Sequence, residues 1–318
     1  MPFDNRRGIG RNGKYSGGRH RGRKSRQNHQ KNKRINRECA QMNKISWEEA
    51  VAKIKSDETF KKLVIDSFFD DPVTSAAERF YYGGEWSAAR ELIAGFFPQN
   101  YEPHKMKAID IGAGRGIASY ALARDGWNVT ALEPCGSVSV GNRAIQKIID
   151  GFNIKNISIS DDYGESLKFA NGAFDLVYMR QALHHAAALD KFCSEAARVL
   201  KSGGVFIAAR EHVLTRKSDL QAFLDAHPLH KYYGGENAYT LEEYRIALEK
   251  AGIGRIRVLK TYDSDINLFP DSLESLKKRL GAKIGFNPPA FISGAAMLVL
   301  NFLNSAPGRL YTFAGVKL

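Results

Sequence analysis

The sequence predicts an α/β protein: a mostly parallel sheet with helices on both faces, preceded by a helical cap. Two observations carry this. From residue 107 onward, short apolar strand cores alternate with helical stretches, and a crossover helix between successive strands is what a parallel sheet requires. The first strand core, Ala108, Ile109 and Ile111, feeds a turn with Gly112, Gly114 and Gly116. Without Cβ atoms there, the backbone can bend sharply and a ligand can lie against it.

Residues 1–41 form a basic tail. The whole chain carries a formal charge of +13, yet Met1–Ala40 hold thirteen Lys/Arg and two acids, which leaves 34 Lys/Arg against 32 acids for the remainder. The basicity therefore belongs to the tail and not to the fold. The tail is polar and glycine-rich, with too little apolar surface to offset its ordering entropy, so it is expected to be disordered. A cationic arm of this kind can bind RNA or an anionic membrane nonspecifically. The alternative is an upstream-start artefact, because Met42-Asn-Lys-Ile-Ser-Trp opens an amphipathic helix and makes a sensible start.

Residues 42–106 read as the cap. Trp47, Val51 and Ile54, then Phe60, Leu63 and Val64, recur at helical spacing after the capping-box pattern Ser46-Trp-Glu-Glu49. Asp71-Pro72 breaks the pattern, and it resumes from Ser75 to Phe97 around Gly83-Gly84. Residues 107–318 form the sheet domain. Its strand cores are 108–111, 129–132, 157–159, 174–178, 205–209 and 255–261, with 309–317 as the last strand after a helical insertion at about 271–307. The apolar run from Ala290 to Leu303 is too short to cross a bilayer and reads as a buried helix. Asn287-Pro-Pro-Ala290 reads as a turn.

The glycine spacing bears on the ligand. A dinucleotide turn wants two residues between its second and third glycines, and here Gly116 comes one residue early. The G-x-G-x-G form, with Asp110 before it and Glu133 twenty-one residues beyond Gly112, fits S-adenosylmethionine better than NAD. That cofactor has no pyrophosphate to place, but it has a ribose diol that a carboxylate can accept from. Cys39, Cys135 and Cys193 are scattered with no C-x-x-C pair. They fit a reduced, cytoplasmic setting, and no metal site is expected.

Five ordered motifs extend the pattern: Ala108-Ile-Asp-Ile-Gly-Ala-Gly-Arg-Gly116, Leu132-Glu-Pro134, Glu165-Ser-Leu-Lys-Phe169, Phe174-Asp-Leu-Val-Tyr-Met-Arg-Gln-Ala-Leu-His-His185 and Arg198-Val-Leu-Lys-Ser-Gly-Gly-Val205. On these the chain resembles class I S-adenosylmethionine-dependent methyltransferases, the broad group that includes ubiquinone/menaquinone-type and small-molecule enzymes. The resemblance implies a Rossmann-like sheet of seven strands with the last antiparallel. It implies that Asp110, Gly112, Ala113 and Gly114 line the methionine and ribose part of the site, and that Glu133, followed by Pro134, takes the ribose hydroxyls. Asp162 and Tyr163 would sit near the adenine, and Arg180 and Gln181 would face the methyl-bearing end.

Methyl transfer asks mainly for in-line placement and exclusion of water, with a general base when the acceptor is a hydroxyl. Candidate bases are His184 and His185 after the fourth strand, and Glu211 and His212 after the fifth. The segment His227–Glu236 is dense in polar aromatics, and His227, His230, Tyr232 and Tyr233 are expected to contact substrate or to anchor a packed loop. Tyr82 and Trp86 on the cap are a second set, with helix packing as the alternative. Three readings follow. The favoured one is methylation of a small molecule, an oxygen acceptor before nitrogen or carbon, with a sugar or lipid-linked saccharide among the candidates. The others are RNA methylation using the basic tail for affinity, and a peripheral membrane or interaction role involving Lys277-Lys278-Arg279 and the apolar stretch after Pro289.

Overall fold

The computed structural model describes residues 45–69, 72–283 and 294–318. The basic tail, Asp71 and the Asn287–Ala290 turn lie outside the described residues.

Among the described residues four α-helices precede the sheet: α1 (Trp47–Ser56), α2 (Lys61–Asp66), α3 (Val73–Tyr81) and α4 (Gly84–Ala94). The capping box at Ser46 forms, with the Ser46 Oγ accepting from the Glu49 amide and the Glu49 carboxylate accepting from the Ser46 amide. The alternating part then runs β1 (Lys107–Ile111), α5 (Ile117–Arg124), β2 (Asn128–Leu132), α6 (Asn142–Phe152), β3 (Ile157–Ser160), β4 (Phe174–Arg180), α7 (Leu189–Val199) and β5 (Leu200–Leu214). After it come α8 (Leu220–Ala226), α9 (Pro228–Tyr232), β6 (Tyr239–Thr240), α10 (Leu241–Lys250), β7 (Ile253–Leu259), α11 (Asp265–Leu268), α12 (Leu273–Lys283), α13 (Gly294–Leu303) and β8 (Arg309–Lys317).

The sheet order is β3-β2-β1-β4-β5-β8-β7, with β6 paired to β5. Pairs among β1 to β5 are parallel, and β8 runs antiparallel between β5 and β7. Among the described residues the sheet has eight strands, not seven. The extra one is the two-residue β6, whose Tyr239 and Thr240 pair with Val213 and Leu214 and are too few to show a period in sequence. In β1, Ala108 faces one core with Leu176, Tyr178 and Ile207, while Ile109 and Ile111 face the other with Val177, Met179 and Phe206. Alternate residues of each strand thus bury against helices on opposite faces.

Strand β1 sits between β2 and β4, so the chain leaves it toward one side of the sheet and later returns to the other. A crevice opens at such a switch point, beyond the carboxyl ends of the strands.

The apolar helix α13 differs from expectation: Leu298, Val299, Phe302 and Leu303 are 56–85% exposed. Met297 and Asn301 face inward, and Asn301 docks the helix by accepting from the Tyr262 amide and donating to Asp263. Apolar composition measures what burial would gain, not whether a partner surface lies within reach. Among the described residues no helix is long and apolar enough to cross a membrane.

Candidate active site

A cavity of about 460 Å³ occupies the crevice. One end is built by the β1–α5 turn. Gly112, Gly114 and Gly116 have φ of +69°, +54° and +82°, and a Cβ on Gly112 would stand 2.7 Å from the Ala182 Cβ. The amides of Gly112 and Ala113 donate to the Leu132 carbonyl, which ties the turn to the end of β2. There Glu133 is held by both oxygens, Oε2 accepting from the Gly114 amide and Oε1 from the Cys135 amide, each at 2.9 Å. Burial pushes its carboxyl up to about 7, against the pull of those two amides. Asp110 accepts from the Ser119 hydroxyl at 2.6 Å, and burial pushes it up to about 6.

Asp110, Gly112, Ala113, Gly114, Glu133, Pro134 and Tyr163 all line this end. Asp162 lies off the wall, its carboxylate engaged by Lys168 and by the Ser160 hydroxyl. The residues fit S-adenosylmethionine on one structural ground. Each Glu133 oxygen accepts a single amide and keeps a lone pair for a ribose hydroxyl, beside a backbone that comes close because glycine occupies positions 112 and 114.

The helices before the sheet are tied to it beside the cavity by buried charge. Arg180, at the end of β4, donates to both oxygens of Glu85 at 2.6 and 3.0 Å, to the Gln181 side chain at 2.8 Å and to the Asp66 carbonyl at 2.9 Å. Arg210 lies 3.7 Å from Glu85 and donates to the carbonyls of Ile266 and Phe269. The Asp66 Oδ1 is buried without a partner, and burial pushes that carboxyl up to about 6 despite Arg210 nearby. Arg180 and Gln181 line the cavity, yet the Arg180 guanidinium is committed to Glu85. Trp86 sits in the core against Tyr178, with its indole N–H donated to Asp125, and Tyr82 is 72% exposed; neither lines the cavity.

The far end is a histidine–carboxylate cluster. A 3₁₀ turn after β4 carries His184 and His185, β5 carries Glu211 and His212, and the segment after α8 carries His227 and Glu236. Glu211 is fully buried and accepts from the Ala182 amide, the His184 amide and the His184 Nδ1, the last at 2.6 Å. It does not line the cavity, and these contacts hold the His184 ring in place. The Glu236 Oε2 stands 3.5 Å from the His184 Nε2 and 3.9 Å from the His185 Nε2, while its Oε1 stands 3.7 Å from the His227 Nδ1. His212 packs edge-on to both His184 and His227. Burial opposes charge on His184, but the Glu211 carboxylate bonded to it and the Glu236 carboxylate nearby outweigh that and hold the ring at about 9. Burial and the neighbouring His184 push His185 and His212 down.

Of the other residues expected to meet substrate, His227 and Tyr233 line the cavity, and Tyr233 stacks on Trp47 at 4.0 Å. Tyr232 packs instead against Phe60 and under Lys53. His230 is off the wall with a buried, unpartnered Nδ1. Nothing in the sequence marks Asp66 or Arg210, and Glu85 stands out there only beside Trp86 in the second candidate region on the cap. Glu236 closes the segment singled out there, but nothing in its spacing tells that it meets residues some fifty positions earlier.

Residues 109–208 match the family model described as a methyltransferase domain. The sterol 24-C-methyltransferase of Yarrowia lipolytica is 31% identical over 187 residues, covering 54% of this chain and 46% of that protein. The ubiquinone biosynthesis O-methyltransferase of Agrobacterium fabrum is 27% identical, covering 38% of this chain and 48% of that protein. The malonyl-[acyl-carrier protein] O-methyltransferase of Geobacter sulfurreducens is 28% identical, covering 60% and 71% respectively. The chain spans less than half the length of the first two. Among solved structures, geranyl diphosphate C-methyltransferase of Streptomyces coelicolor shares the fold with a TM-score of 0.51 at 16% identity, over 73% of this chain and 79% of that one. The order of motifs, the crevice they build and these similarities agree, and residues 109–208 of the chain carry a methyltransferase domain.

Proposed function

We propose that this protein transfers a methyl group from S-adenosylmethionine to a small-molecule acceptor, with a hydroxyl oxygen favoured over nitrogen or carbon. The observation that carries the reading is one cavity with two unlike ends: the Gly112–Gly114 turn with Glu133 at one, and the His184, His185, His212 and His227 rings around Glu236 at the other. The cofactor supplies an activated methyl on a sulfonium. Glu133 and the glycine turn would hold its ribose and amino-acid parts. The capping helices, locked down by Glu85 on Arg180, would keep water from the reacting atoms.

At the far end Glu211 fixes the His184 ring, so that its Nε2 and the neighbouring imidazoles face an acceptor in a set orientation. The His185 and His212 rings, which burial and the neighbouring His184 push toward the neutral form, can accept the proton that a hydroxyl gives up as its oxygen bonds to the methyl carbon. The alcohols and polyols of sugars or lipid-linked saccharides are the acceptor class to try first.

The test is calorimetric titration of S-adenosylmethionine and S-adenosylhomocysteine into the full chain and into Glu133→Ala, followed by a labelled-methyl screen of hydroxyl acceptors. Micromolar binding that weakens in the variant, with label reaching an alcohol oxygen, supports the reading. A folded protein that binds neither ligand overturns it.

A further inference from the structure

We infer that Glu236 and the histidines around it form a site for a divalent transition-metal ion. The donor set is imidazole nitrogen with one carboxylate and no thiolate, which suits zinc, iron, cobalt or nickel better than magnesium or calcium. Two overlapping groups share Glu236: His184 with His185, and His212 with His227. Within each group the ligand atoms lie within 4.8 Å of one another. Ligands about 2.0–2.1 Å from a tetrahedral ion stand about 3.4 Å apart, so the contacts of 3.5, 3.7 and 3.9 Å at the Glu236 carboxylate are near ligand spacing. They are long for hydrogen bonds between such groups.

The outer ring nitrogens give a second line of argument. The His185 Nδ1 meets the Gly235 carbonyl at 3.0 Å, and the His212 Nδ1 meets the Gly308 carbonyl at 2.6 Å. A carbonyl can only accept, so each Nδ1 carries the proton and each Nε2 keeps its lone pair. The His184 Nδ1 is turned to the Glu211 carboxylate in the same way. Rings tethered at one nitrogen by a fixed oxygen, with the other nitrogen presented inward, are the usual support of a metal centre. The fourth ring adds an unmet need, since the His227 Nδ1 is buried, has no hydrogen-bond partner and points toward Glu236. A purely structural network would be expected to satisfy that nitrogen.

An ion held there faces the same cavity as the glycine turn. It would polarise an acceptor oxygen and ease loss of its proton; that role rests on the methyl-transfer reading, whereas ion binding does not.

The experiment is a cobalt(II) titration of the full chain after chelator treatment. It is read by visible absorption and by metal content, with zinc(II) added in competition. About one cobalt per chain is expected, with visible bands that zinc bleaches. Affinity should fall at least about tenfold in Glu236→Gln and in His227→Ala, and stay unchanged in His104→Ala, a ring remote from the cavity. Wild-type imidazole ¹⁵N shifts on zinc addition give a readout that needs no variant, and the inward nitrogens of the cavity histidines should move. Absence of stoichiometric cobalt, or equal binding by a folded Glu236→Gln chain, overturns the inference. So do ¹⁵N shifts confined to other histidines. S-adenosylmethionine titration of the same samples shows whether the methyl-transfer reading stands independently.

Discussion

The Gly114 amide donates to the Glu133 carboxylate at 2.9 Å, so the turn after β1 and the acid after β2 are one rigid unit. Because Glu133 is buried beside Asp110, its carboxyl protonates at about 7. The ionised form is the one that accepts from a ribose diol. Affinity for S-adenosylmethionine should therefore rise with pH through 7 and level off above it. At pH 6 about a tenth of the group is ionised, which predicts roughly tenfold weaker binding than at pH 8. Calorimetry across that range checks it, and Glu133→Gln should flatten the dependence.

Gly112→Ala should be severe. Its φ of +69° is strained for any side chain, and the new Cβ would meet Ala182 at 2.7 Å. A loss of about 2–5 kcal/mol in stability is expected, together with at least tenfold weaker cofactor binding. Gly203→Ala is the control, with φ +74° and nothing within 4 Å, and should cost only about 1–2 kcal/mol. Urea denaturation of both variants tests the contrast.

Glu85 is the carboxylate between Arg180 and Arg210, and it is 1% exposed. Glu85→Ala leaves two buried guanidiniums held by carbonyl and amide oxygens. Breaking a buried pair of this kind costs about 3–5 kcal/mol. The urea midpoint should drop accordingly, and proteolysis should open the capping helices before the sheet.

Phe302 is 85% exposed on α13, whereas Phe80 is fully buried against Phe68 and Trp86. Phe302→Ser should change stability by less than about 0.5 kcal/mol. Phe80→Ala should cost about 3–5 kcal/mol. A large loss from the Phe302 change would mean that α13 is covered in solution.

Much of the fold was legible because its signals are local. Strand cores such as Ala108–Ile111 and Val205–Ala209 announce themselves by apolar runs, and Ser46 with Glu49 announces a helix start. The two-residue β6 escaped because its pairing partner lies in β5, more than twenty residues away. The exposure of α13 escaped because burial depends on a neighbour, and hydropathy does not name one. Trp86 and Tyr82 show the same limit in reverse. Both are aromatic and close in sequence, yet one fills the core and the other meets solvent.

The glycine-turn end of the cavity was readable for the same reason. Asp110, the glycine turn and Glu133 lie within one strand–helix–strand unit, where geometry follows from short-range spacing and the positive φ that glycine permits. The opposite end is assembled from three crossings of the sheet edge, after β4, along β5 and after α8. Which histidines face Glu236, and that Glu211 is bonded to His184, follow from how distant segments pack. Chain order determines the sheet and the glycine turn at one end of the cavity. Long-range packing alone brings the acidic and imidazole groups within reach of one another, because no local spacing encodes distances across separate strands.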